Sequence, residues 1–330
     1  MKVLVTGGAG YIGSHVVLEL LDGGHQVVIV DDLSTGRREF VDPRARLVVC
    51  DIADQGQVPA LIHDQSIEAV LHFAGSIVVP ESVDNPLKYY LNNAAKTRTL
   101  IEFCIDAGVK HFVFSSTAAV YGEPDEIPVV ETTPTIPINP YGRSKLMTEW
   151  MLQDTAAAHE FEFAALRYFN VAGADPEGRT GQATPNATHL LKVTTQVALG
   201  LRPQLSIFGT DYPTGDGTCI RDYIHVSDLA AIHVKALQYL AEGGSSCILN
   251  CGYGEGFSVR QVVDAVRRAS GVEFPVCDGP RRAGDPAELI ADPSRLHRTF
   301  DWKPSHADLD HIVETALQWE RHLQRTTADA

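Results

Sequence analysis

Tyr141 and Lys145 have the residue types and the spacing to move a proton. They stand one helical turn apart, so both side chains would lie on the same face of a helix. A phenol with a pKa of about 10 is a poor base at neutral pH, but a neighbouring ammonium group stabilises the phenolate. The hydroxyl of Thr117 or Ser116 can share the proton of a substrate. An exposed Tyr–Lys pair on a helix surface has the same spacing, so the context must distinguish these interpretations.

That context begins with a nucleotide-binding pattern at the start of the chain. Residues 3–5 form a short apolar run, typical of a strand that is buried on both faces. Gly7, Gly10 and Gly13 follow it and precede an apolar pattern of helical period. Such glycines let the backbone turn tightly and approach a pyrophosphate, and the helix N-terminus offers N–H groups to the phosphates. The stretch therefore predicts a dinucleotide site.

Acidic residues at strand ends indicate which dinucleotide binds. The second apolar strand ends on Asp31 and Asp32. A carboxylate there accepts hydrogen bonds from the adenosine ribose and repels a 2′-phosphate, which favours NAD over NADP. Arg37 and Arg38 could favour NADP, but we interpret them as a solvated pair on a loop. A third strand ends near Asp51, which either approaches the adenine or caps the helix that follows.

The order of apolar segments predicts the fold class. Strands alternate with helices through the first half, including a long helix over 86–108 and another that starts at Pro140. This alternation predicts an α/β fold, a Rossmann-type doubly wound parallel sheet with a smaller mixed α/β C-terminal lobe. A Gly/Pro-rich loop over 173–185 is the expected boundary. We assign 1–172 to the NAD-binding domain and 173–330 to the substrate lobe, with segments around 220–254 crossing back.

Composition excludes several function classes. The formal net charge of −15 argues against nucleic acid as a partner, although arginines concentrated in one cleft could still bind an anionic substrate. No apolar run reaches membrane-spanning length, and the chain enters its first strand directly, so we expect a cytoplasmic protein. The six cysteines form no CxxC pair and the thirteen histidines no HExxH motif. We therefore expect reduced thiols and no metal.

Together, the glycine motif, the strand-end serines and YxxxK resemble the extended short-chain dehydrogenase/reductase superfamily. Within it, the sequence is similar to the UDP-glucose 4-epimerase family over nearly the whole chain. The strings that carry this resemblance are HFAG (72–75), PESV (80–83), YYLNN (89–93), SSTAAVYG (115–122), NPYGRSK (139–145), LRYFNVAGA (166–174), the run 207–230 and PRRAGD (280–285). The resemblance implies NAD-dependent interconversion of UDP-galactose and UDP-glucose through a 4-keto sugar, with NAD regenerated in each cycle.

The resemblance also implies residue roles. Tyr141 would be the catalytic base, Lys145 would bind the nicotinamide ribose and tune the base, and Thr117 would assist. The expected NAD contacts are Gly7, Gly10, Tyr11, Ile12, Gly13, Asp31, Asp32, Asp51, Ile52, Phe73, Ala74, Gly75, Asn92, Ser115, Tyr141, Lys145 and Tyr168. The expected substrate contacts are Thr117, Asn170, His189, Leu190, Arg221, Tyr223, Arg282, Asp285 and Leu289. A guanidinium can clamp a diphosphate with two parallel hydrogen bonds, although each arginine could instead form a surface ion pair.

Three positions depart from the family pattern. Ile77 stands where many members have a lysine near the pyrophosphate, which predicts weaker cofactor retention or a substitute donor. His189 stands where an asparagine is frequent, beside the uracil and phosphate region. Leu289 stands where some members have a tyrosine against the C2 substituent of the sugar. The smaller leucine could leave room for an N-acetyl group, so N-acetylhexosamine substrates stay open.

Other functions and the assembly state also follow from the resemblance. A 4-epimerase of UDP-N-acetylglucosamine or UDP-glucuronate is the nearest alternative. A nucleotide-sugar 4,6-dehydratase needs an Asp–Glu pair where this chain has Ala118 and Ala119. A non-catalytic NAD-binding regulator usually loses the tyrosine or the lysine, and both are retained here. The family further implies a homodimer through the helices at 86–107 and 141–158, although such apolar stripes often face their own sheet.

Overall fold

The computed structural model describes residues 1–184, 187–282 and 284–328. The strands are β1 (Lys2–Thr6), β2 (Gln26–Asp31), β3 (Arg46–Val49), β4 (Ala69–His72), β5 (His111–Thr117), β6 (Glu162–Tyr168), β7 (Asn170–Ala172), β8 (Leu205–Phe208), β9 (Ile220–His225), β10 (Cys247–Cys251), β11 (Gly256–Ser258), β12 (Val276–Gly279) and β13 (Glu288–Leu289). The helices are α1 (Tyr11–Asp22), α2 (Gln57–Asp64), α3 (Val79–Asp84), α4 (Pro86–Tyr89), α5 (Lys96–Asp106), α6 (Pro140–Ala158), α7 (Leu190–Ala198), α8 (Val226–Ala241), α9 (Val259–Ser270), α10 (Ser294–Phe300) and α11 (Leu309–Ala328). Short 3₁₀ helices lie at Arg38–Phe40 and Ala118–Val120, and a π-helical segment lies at Tyr90–Ala95.

One large sheet organises the first part of the chain. Its seven strands run in the order β3-β2-β1-β4-β5-β6-β10, and each neighbouring pair is parallel. The strand order reverses between β1 and β4, and in such sheets ligands bind at the carboxyl ends of the strands beside this reversal. The predicted doubly wound parallel sheet of Rossmann type is confirmed.

Both faces of this sheet are covered by helices, which explains the continuous apolar runs of its strands. Val3 and Val5 of β1 lie in a core cluster with side chains of α1 and α8. Leu4, between them, lies in the opposite cluster with side chains of α2, α5 and α6. Successive side chains of a strand point to opposite faces, so one apolar run supplies both cores.

The second lobe is built around β9. This strand pairs with β7 and β13 in parallel and with β11 in antiparallel, while β8 and β12 form a separate pair. Side chains of α7, α9 and α11 form the core of this lobe. Two later elements join the first lobe instead, because α8 packs on α1 and β10 pairs with β6. The division at residue 172 stays a prediction, and Pro185, at the end of the predicted boundary loop, lies outside the described residues.

The structure differs from the predicted elements at two places that matter for the site. The helix predicted over 86–108 is divided into α4, the π-helical segment Tyr90–Ala95 and α5. Such wide turns are frequent at functional sites. Strand β5 continues past its last apolar residue to Thr117, because its polar end still pairs with β6. Among the described residues, no helix is both long and apolar enough to cross a membrane.

Candidate active site

The helix α6 holds the Tyr–Lys pair in the interior. Asn139 caps this helix, since its side chain accepts a hydrogen bond of 2.9 Å from the Gly142 N–H, and Pro140 occupies the first turn. Tyr141 is 8% exposed and Lys145 is 3% exposed. This burial does not fit a solvated surface pair. The pair instead lies against the carboxyl end of β5, where Thr117 ends the strand.

The Lys145 ammonium group directly contacts a backbone carbonyl and an aromatic ring. Its Nζ donates to the backbone oxygen of Ser115 at 2.8 Å and lies 4.9 Å from the ring centroid of Phe114. Burial lowers the pKa of Lys145 to about 8, and the charge of Glu149 opposes this shift. The Ser115 hydroxyl is hydrogen-bonded to the hydroxyl of Tyr168 on β6. The structure thus brings three of the expected NAD contacts together.

The phenol of Tyr141 faces the side chain of Thr117. Burial raises the pKa of this phenol, and the polar side chain of Thr117 acts in the opposite direction. The chain alone therefore does not lower the pKa of Tyr141, although the sequence predicts a lowered value in the working enzyme. The stabilisation of a phenolate requires positive charge beyond what these residues place at the phenol.

The turn between β1 and α1 leaves no room for a side chain at Gly7 or at Gly13. Gly7 has φ +71°, and a Cβ added to it would lie 2.6 Å from the backbone nitrogen of Ala74. A Cβ on Gly13 would lie 2.2 Å from the backbone oxygen of Gly7. The N-cap residue Gly10 provides no side-chain hydrogen bond, so N–H groups of the first turn stay available to a phosphate. This cradle fits the pyrophosphate of a dinucleotide.

The two acids at the end of β2 differ in their surroundings. Asp31 is 6% exposed and accepts hydrogen bonds of 2.9 Å from the N–H groups of Ala9 and Leu33. Burial raises the pKa of Asp31, and these backbone hydrogen bonds oppose the shift. Asp32 is exposed and accepts from the N–H and hydroxyl of Ser34. Asp31 is thus the carboxylate that faces the glycine turn.

The residues expected near the adenosine half are partly engaged with the protein. Asp51 accepts a hydrogen bond of 2.6 Å from Nζ of Lys96, and Ile52 beside it is 6% exposed. Because α2 begins at Gln57, the interpretation of Asp51 as the cap of that helix is wrong. Arg37 lies 3.2 Å from Glu39 in an exposed ion pair, in agreement with a surface role.

Asn93 is a buried residue of the site that the sequence analysis missed. Its side chain accepts from the Ser76 N–H at 2.7 Å and donates to the Ser144 hydroxyl of α6 at 3.0 Å. A Cβ on Gly75 would lie 2.9 Å from its Oδ1 and 3.9 Å from Nζ of Lys145. The expected NAD contact Asn92 donates to the Ser76 hydroxyl at 3.0 Å. The π-helical segment thus fixes the loop after β4 against α6, and the second Asn of YYLNN was the available signal.

Tyr11 and the loop after β4 complete the cofactor side of the cleft. The Tyr11 hydroxyl donates to the backbone oxygen of Gly173 at 2.7 Å, which links α1 to the start of the second lobe. Phe73 and Ala74 follow β4 and approach the Gly7 turn. Ile77, which the sequence analysis associated with weaker cofactor retention, is 45% exposed.

Four of the expected substrate contacts line one cavity. Asn170, His189, Leu190 and Tyr223 surround a small cavity of about 30 Å³, together with side chains of α11. Asn170 and Tyr223 are paired in register between β7 and β9. His189 Nδ1 is 2.9 Å from the side-chain amide of Gln182, and burial lowers the pKa of this histidine, which favours the neutral ring. This cavity is much smaller than a ligand site of about 300–1,000 Å³, so its walls would have to move apart to admit a nucleotide.

The remaining substrate contacts form two smaller groups. Arg221 is 3.2 Å from Asp285 in an ion pair and stands opposite Leu289 in the pairing of β9 with β13. The Arg282 guanidinium lies 4.1 Å from the ring centroid of Phe208. The structure gives no direct contact between Arg282 and Arg221. Phe208 was not identified from the sequence, because nothing local marks it as the partner of a residue 74 positions later.

A histidine cluster lies outside these groups. His225, His306 and His311 are stacked, with ring centroids 4.6–5.6 Å apart. Nδ1 of His225 accepts from the Ser227 N–H at 3.1 Å, so its Nε2 carries the proton and faces the Thr315 hydroxyl at 3.1 Å. In this tautomer His225 offers no free lone pair to a metal. We interpret the cluster as structural packing at the start of α8.

A parallel doubly wound sheet with a dinucleotide cradle and a buried Tyr–Lys pair defines a nicotinamide-dependent class of enzyme. Residues 3–252 match the NAD dependent epimerase/dehydratase family, and the chain belongs to this family. The predicted cofactor, NAD, is confirmed for the family. The predicted resemblance to the UDP-glucose 4-epimerases is confirmed by the relatives of the chain.

Three of these relatives cover nearly the whole chain. The UDP-glucose 4-epimerase of Azospirillum brasilense is 57% identical over 100% of this chain and 94% of its own length. The structure of a UDP-glucose-4-epimerase from Stenotrophomonas maltophila, with bound NAD and formylated UDP-arabinopyranose, is 43% identical with a TM-score of 0.95 and covers 99% of both chains. The UDP-Glc/GlcNAc 4-epimerase of Campylobacter jejuni is 48% identical with a TM-score of 0.84 and covers 97% of this chain and 99% of its own.

Proposed function

We propose that this protein is an isomerase that interconverts UDP-galactose and UDP-glucose by NAD-dependent 4-epimerisation. The observation that carries the proposal is the buried phenol of Tyr141, which faces the Thr117 side chain and lies one helical turn from the buried Lys145. These groups lie at the carboxyl ends of parallel strands, next to the cradle of Gly7 and Gly13. The family to which the chain belongs supports the same reaction class.

The residues of the chain would handle the proton of the reaction. Tyr141 Oη would take the proton of the sugar 4-hydroxyl while the C4–H bond of the sugar breaks. The phenol would return this proton when the ketone is reduced from the opposite face. The Thr117 hydroxyl would share this proton, since it faces the phenol. Bound NAD would supply hydride transfer at C4 of the sugar and would be regenerated in each cycle. Burial of the pair keeps water away from the 4-keto sugar.

The second lobe would hold the nucleotide while the sugar turns. Asn170, His189 and Tyr223 line one small cavity, which would have to widen to hold the uridine group. The guanidinium of Arg221 lies on the same strand as Tyr223 and could bind the diphosphate after release from Asp285. Fixing the nucleotide leaves the hexose as the mobile part, so that either face of C4 can be presented.

The alternative functions that the sequence leaves open differ in how well the site supports them. UDP-N-acetylglucosamine is the second candidate substrate, because Leu289 is a leucine beside Arg221, and the relative from Campylobacter jejuni has UDP-GlcNAc in its name. UDP-glucuronate gains no specific support. For a 4,6-dehydratase, Ala118 and Ala119 provide no acid after Thr117, and the Ala119 N–H instead donates to the Thr117 hydroxyl.

We expect purified protein to convert UDP-galactose to UDP-glucose without added NAD. The anomeric signal of UDP-glucose in proton NMR would establish epimerisation and co-purified cofactor in one experiment. Conversion that needs added NAD would support the weaker retention predicted from Ile77. Failure with added NAD would contradict the UDP-galactose assignment, and UDP-N-acetylgalactosamine would then test the second substrate.

We propose further that two copies of the chain form a homodimer through α4, the π-helical segment and α6. Leu87, Leu91 and Trp150 on these elements are 76%, 55% and 53% exposed. Large apolar side chains exposed together on neighbouring elements mark interaction surfaces. These residues therefore favour a partner helix rather than the chain's own sheet.

Replacing Leu87 by aspartate should weaken this dimer by at least tenfold, because a carboxylate would be buried against apolar residues. Light scattering after size exclusion, over a range of concentrations, would measure the change. Val272→Asp is the matched control, since Val272 is 42% exposed on the turn after α9. A wild-type protein that stays monomeric at every concentration would contradict the proposed interface.

A cytoplasmic location belongs to the same proposal. All six cysteines are free, and five of them are buried. Buried thiols without disulfide bonds are typical of reducing compartments.

A further inference from the structure

A buried ion pair lies directly behind the Tyr–Lys pair and has no role in the reaction described so far. Glu149 on α6 is 1% exposed, and Arg167 on β6 is 4% exposed. Arg167 Nε donates to Glu149 Oε1 at 3.0 Å, and its Nη2 donates to Oε2 at 2.6 Å. A pair held by two parallel hydrogen bonds is fixed in orientation as well as in distance.

This pair is connected to the catalytic residues along three elements. Glu149 follows Lys145 by one helical turn, so the two side chains share a face of α6. The Ser116 hydroxyl donates to Glu149 Oε1, and Ser116 immediately precedes Thr117. Arg167 immediately precedes Tyr168 and stands opposite Ser116 in the pairing of β5 with β6.

Arg167 is in turn held from its other side. Its Nη1 donates to the Tyr121 hydroxyl at 3.0 Å, and its guanidinium lies 5.0 Å from the Tyr121 ring centroid. The Tyr121 hydroxyl donates to Asn250 Oδ1 at 2.6 Å. These contacts fix the position of the Arg167 guanidinium, and Arg167 in turn fixes the position of the Glu149 carboxylate.

The other titratable groups that face Lys145 do not supply a negative charge near neutral pH. His72 on β4 has its pKa lowered to about 3 by burial and by the charge of Lys145, and the ring is hydrogen-bonded to Thr6 and Thr97. Burial raises the pKa of Tyr141 and that of Tyr168. Glu149 is the carboxylate whose charge favours the ammonium form of Lys145.

We propose that Glu149, fixed by Arg167, is a positioning residue that keeps Lys145 protonated and holds the end of β5 so that Thr117 meets Tyr141. This inference rests on the proposed function, because it gives the catalytic lysine its countercharge. A purely structural ion pair would pin α6 to β6 without affecting the protonation of Lys145. The two roles differ in their pH dependence.

Glu149→Gln removes the charge and keeps the shape. In the pH profile of kcat, the fall at alkaline pH reports loss of the Lys145 proton. We expect the midpoint of this fall to shift to lower pH by about one unit. Glu149→Asp keeps the charge and should leave this midpoint in place, although kcat falls because the shorter side chain withdraws from Ser116. Tyr121→Phe is the matched control: it loosens Arg167 without changing any charge, so it should lower the melting temperature and leave the midpoint unmoved.

Titration of Lys145 by NMR of its ¹³C-labelled Cε, assigned with Lys145→Arg, gives a second measurement that requires neither epimerase activity nor access of a reagent to the buried amine. The pH midpoint of this titration should be lower in Glu149→Gln and unchanged in Tyr121→Phe. Equal titration midpoints and equal midpoints of the kcat profile in all variants would overturn the proposal, as would a shift of the kcat midpoint in Tyr121→Phe. If Glu149→Gln does not fold, a displaced titration midpoint of Lys145 in Glu149→Asp would also overturn the proposal. A shifted titration midpoint in a protein that does not epimerise UDP-galactose would contradict the proposed function while supporting the role of Glu149.

Discussion

Replacing Tyr141 by phenylalanine should lower kcat for epimerisation by about 10³-fold, while the protein stays folded and retains NAD. The substitution removes one hydroxyl from a buried ring, so the packing around the ring is kept. It removes the atom that would take the proton of the sugar 4-hydroxyl, and Thr117 alone has no comparable acidity. Proton NMR of UDP-galactose conversion would measure the loss, and the absorbance of cofactor released on denaturation would measure retention.

Tyr89→Phe is the matched control for this substitution. The Tyr89 ring stands edge-on to Tyr141 with centroids 6.4 Å apart, and its hydroxyl donates to the Val78 oxygen at 2.6 Å and to Glu81 at 2.9 Å. Loss of this hydroxyl should cost about 1 kcal/mol of stability and change kcat by less than about tenfold. Near-normal turnover in Tyr141→Phe would refute the assignment of the base. Full NAD binding with no turnover even in the wild type would favour a regulator.

The cofactor side of the site was predictable because its signals are local. The strand, the glycine turn and α1 occupy consecutive residues, and their periods and glycines can be recognised without knowledge of contacts. The same holds for Tyr141 and Lys145, since helical geometry alone places them on one face. Only their burial required the structure, because it depends on β5 and β6, which pack against α6.

The missed features depend on contacts between distant positions. The π-helical segment that directs Asn93 towards Ser76 and Ser144 has no periodic signature in the sequence. The stack of Arg282 on Phe208 joins the loop after β12 to the end of β8. Glu149 and Arg167 look like ordinary surface charges until the sheet is assembled, since charged residues are seldom fully buried unless they are paired.

A single added methyl group at Gly13 should abolish cofactor retention. The Cβ of Gly13→Ala would lie 2.2 Å from the Gly7 oxygen and 2.9 Å from Gly8 Cα, so backbone occupies the space on that side. Backbone atoms cannot rotate away as a side chain can, and α1 must therefore move away from the turn. The displacement should cost about 1–3 kcal/mol of unfolding free energy and separate the first-turn N–H groups from the position of the pyrophosphate.

Two other glycines make this test quantitative. A Cβ on Gly10 would lie 3.3 Å from the Gly7 oxygen, and a Cβ on Gly215 would meet no atom within 4 Å. We would measure the unfolding free energy by chemical denaturation and the amount of co-purified NAD for each alanine variant. Both should be unchanged in Gly215→Ala, reduced in Gly10→Ala and lowest in Gly13→Ala. The order matters because loss of any loop glycine could lower stability. Equal stability and equal cofactor content at positions 13 and 215 would mean that close approach of α1 to the turn does not hold the cofactor.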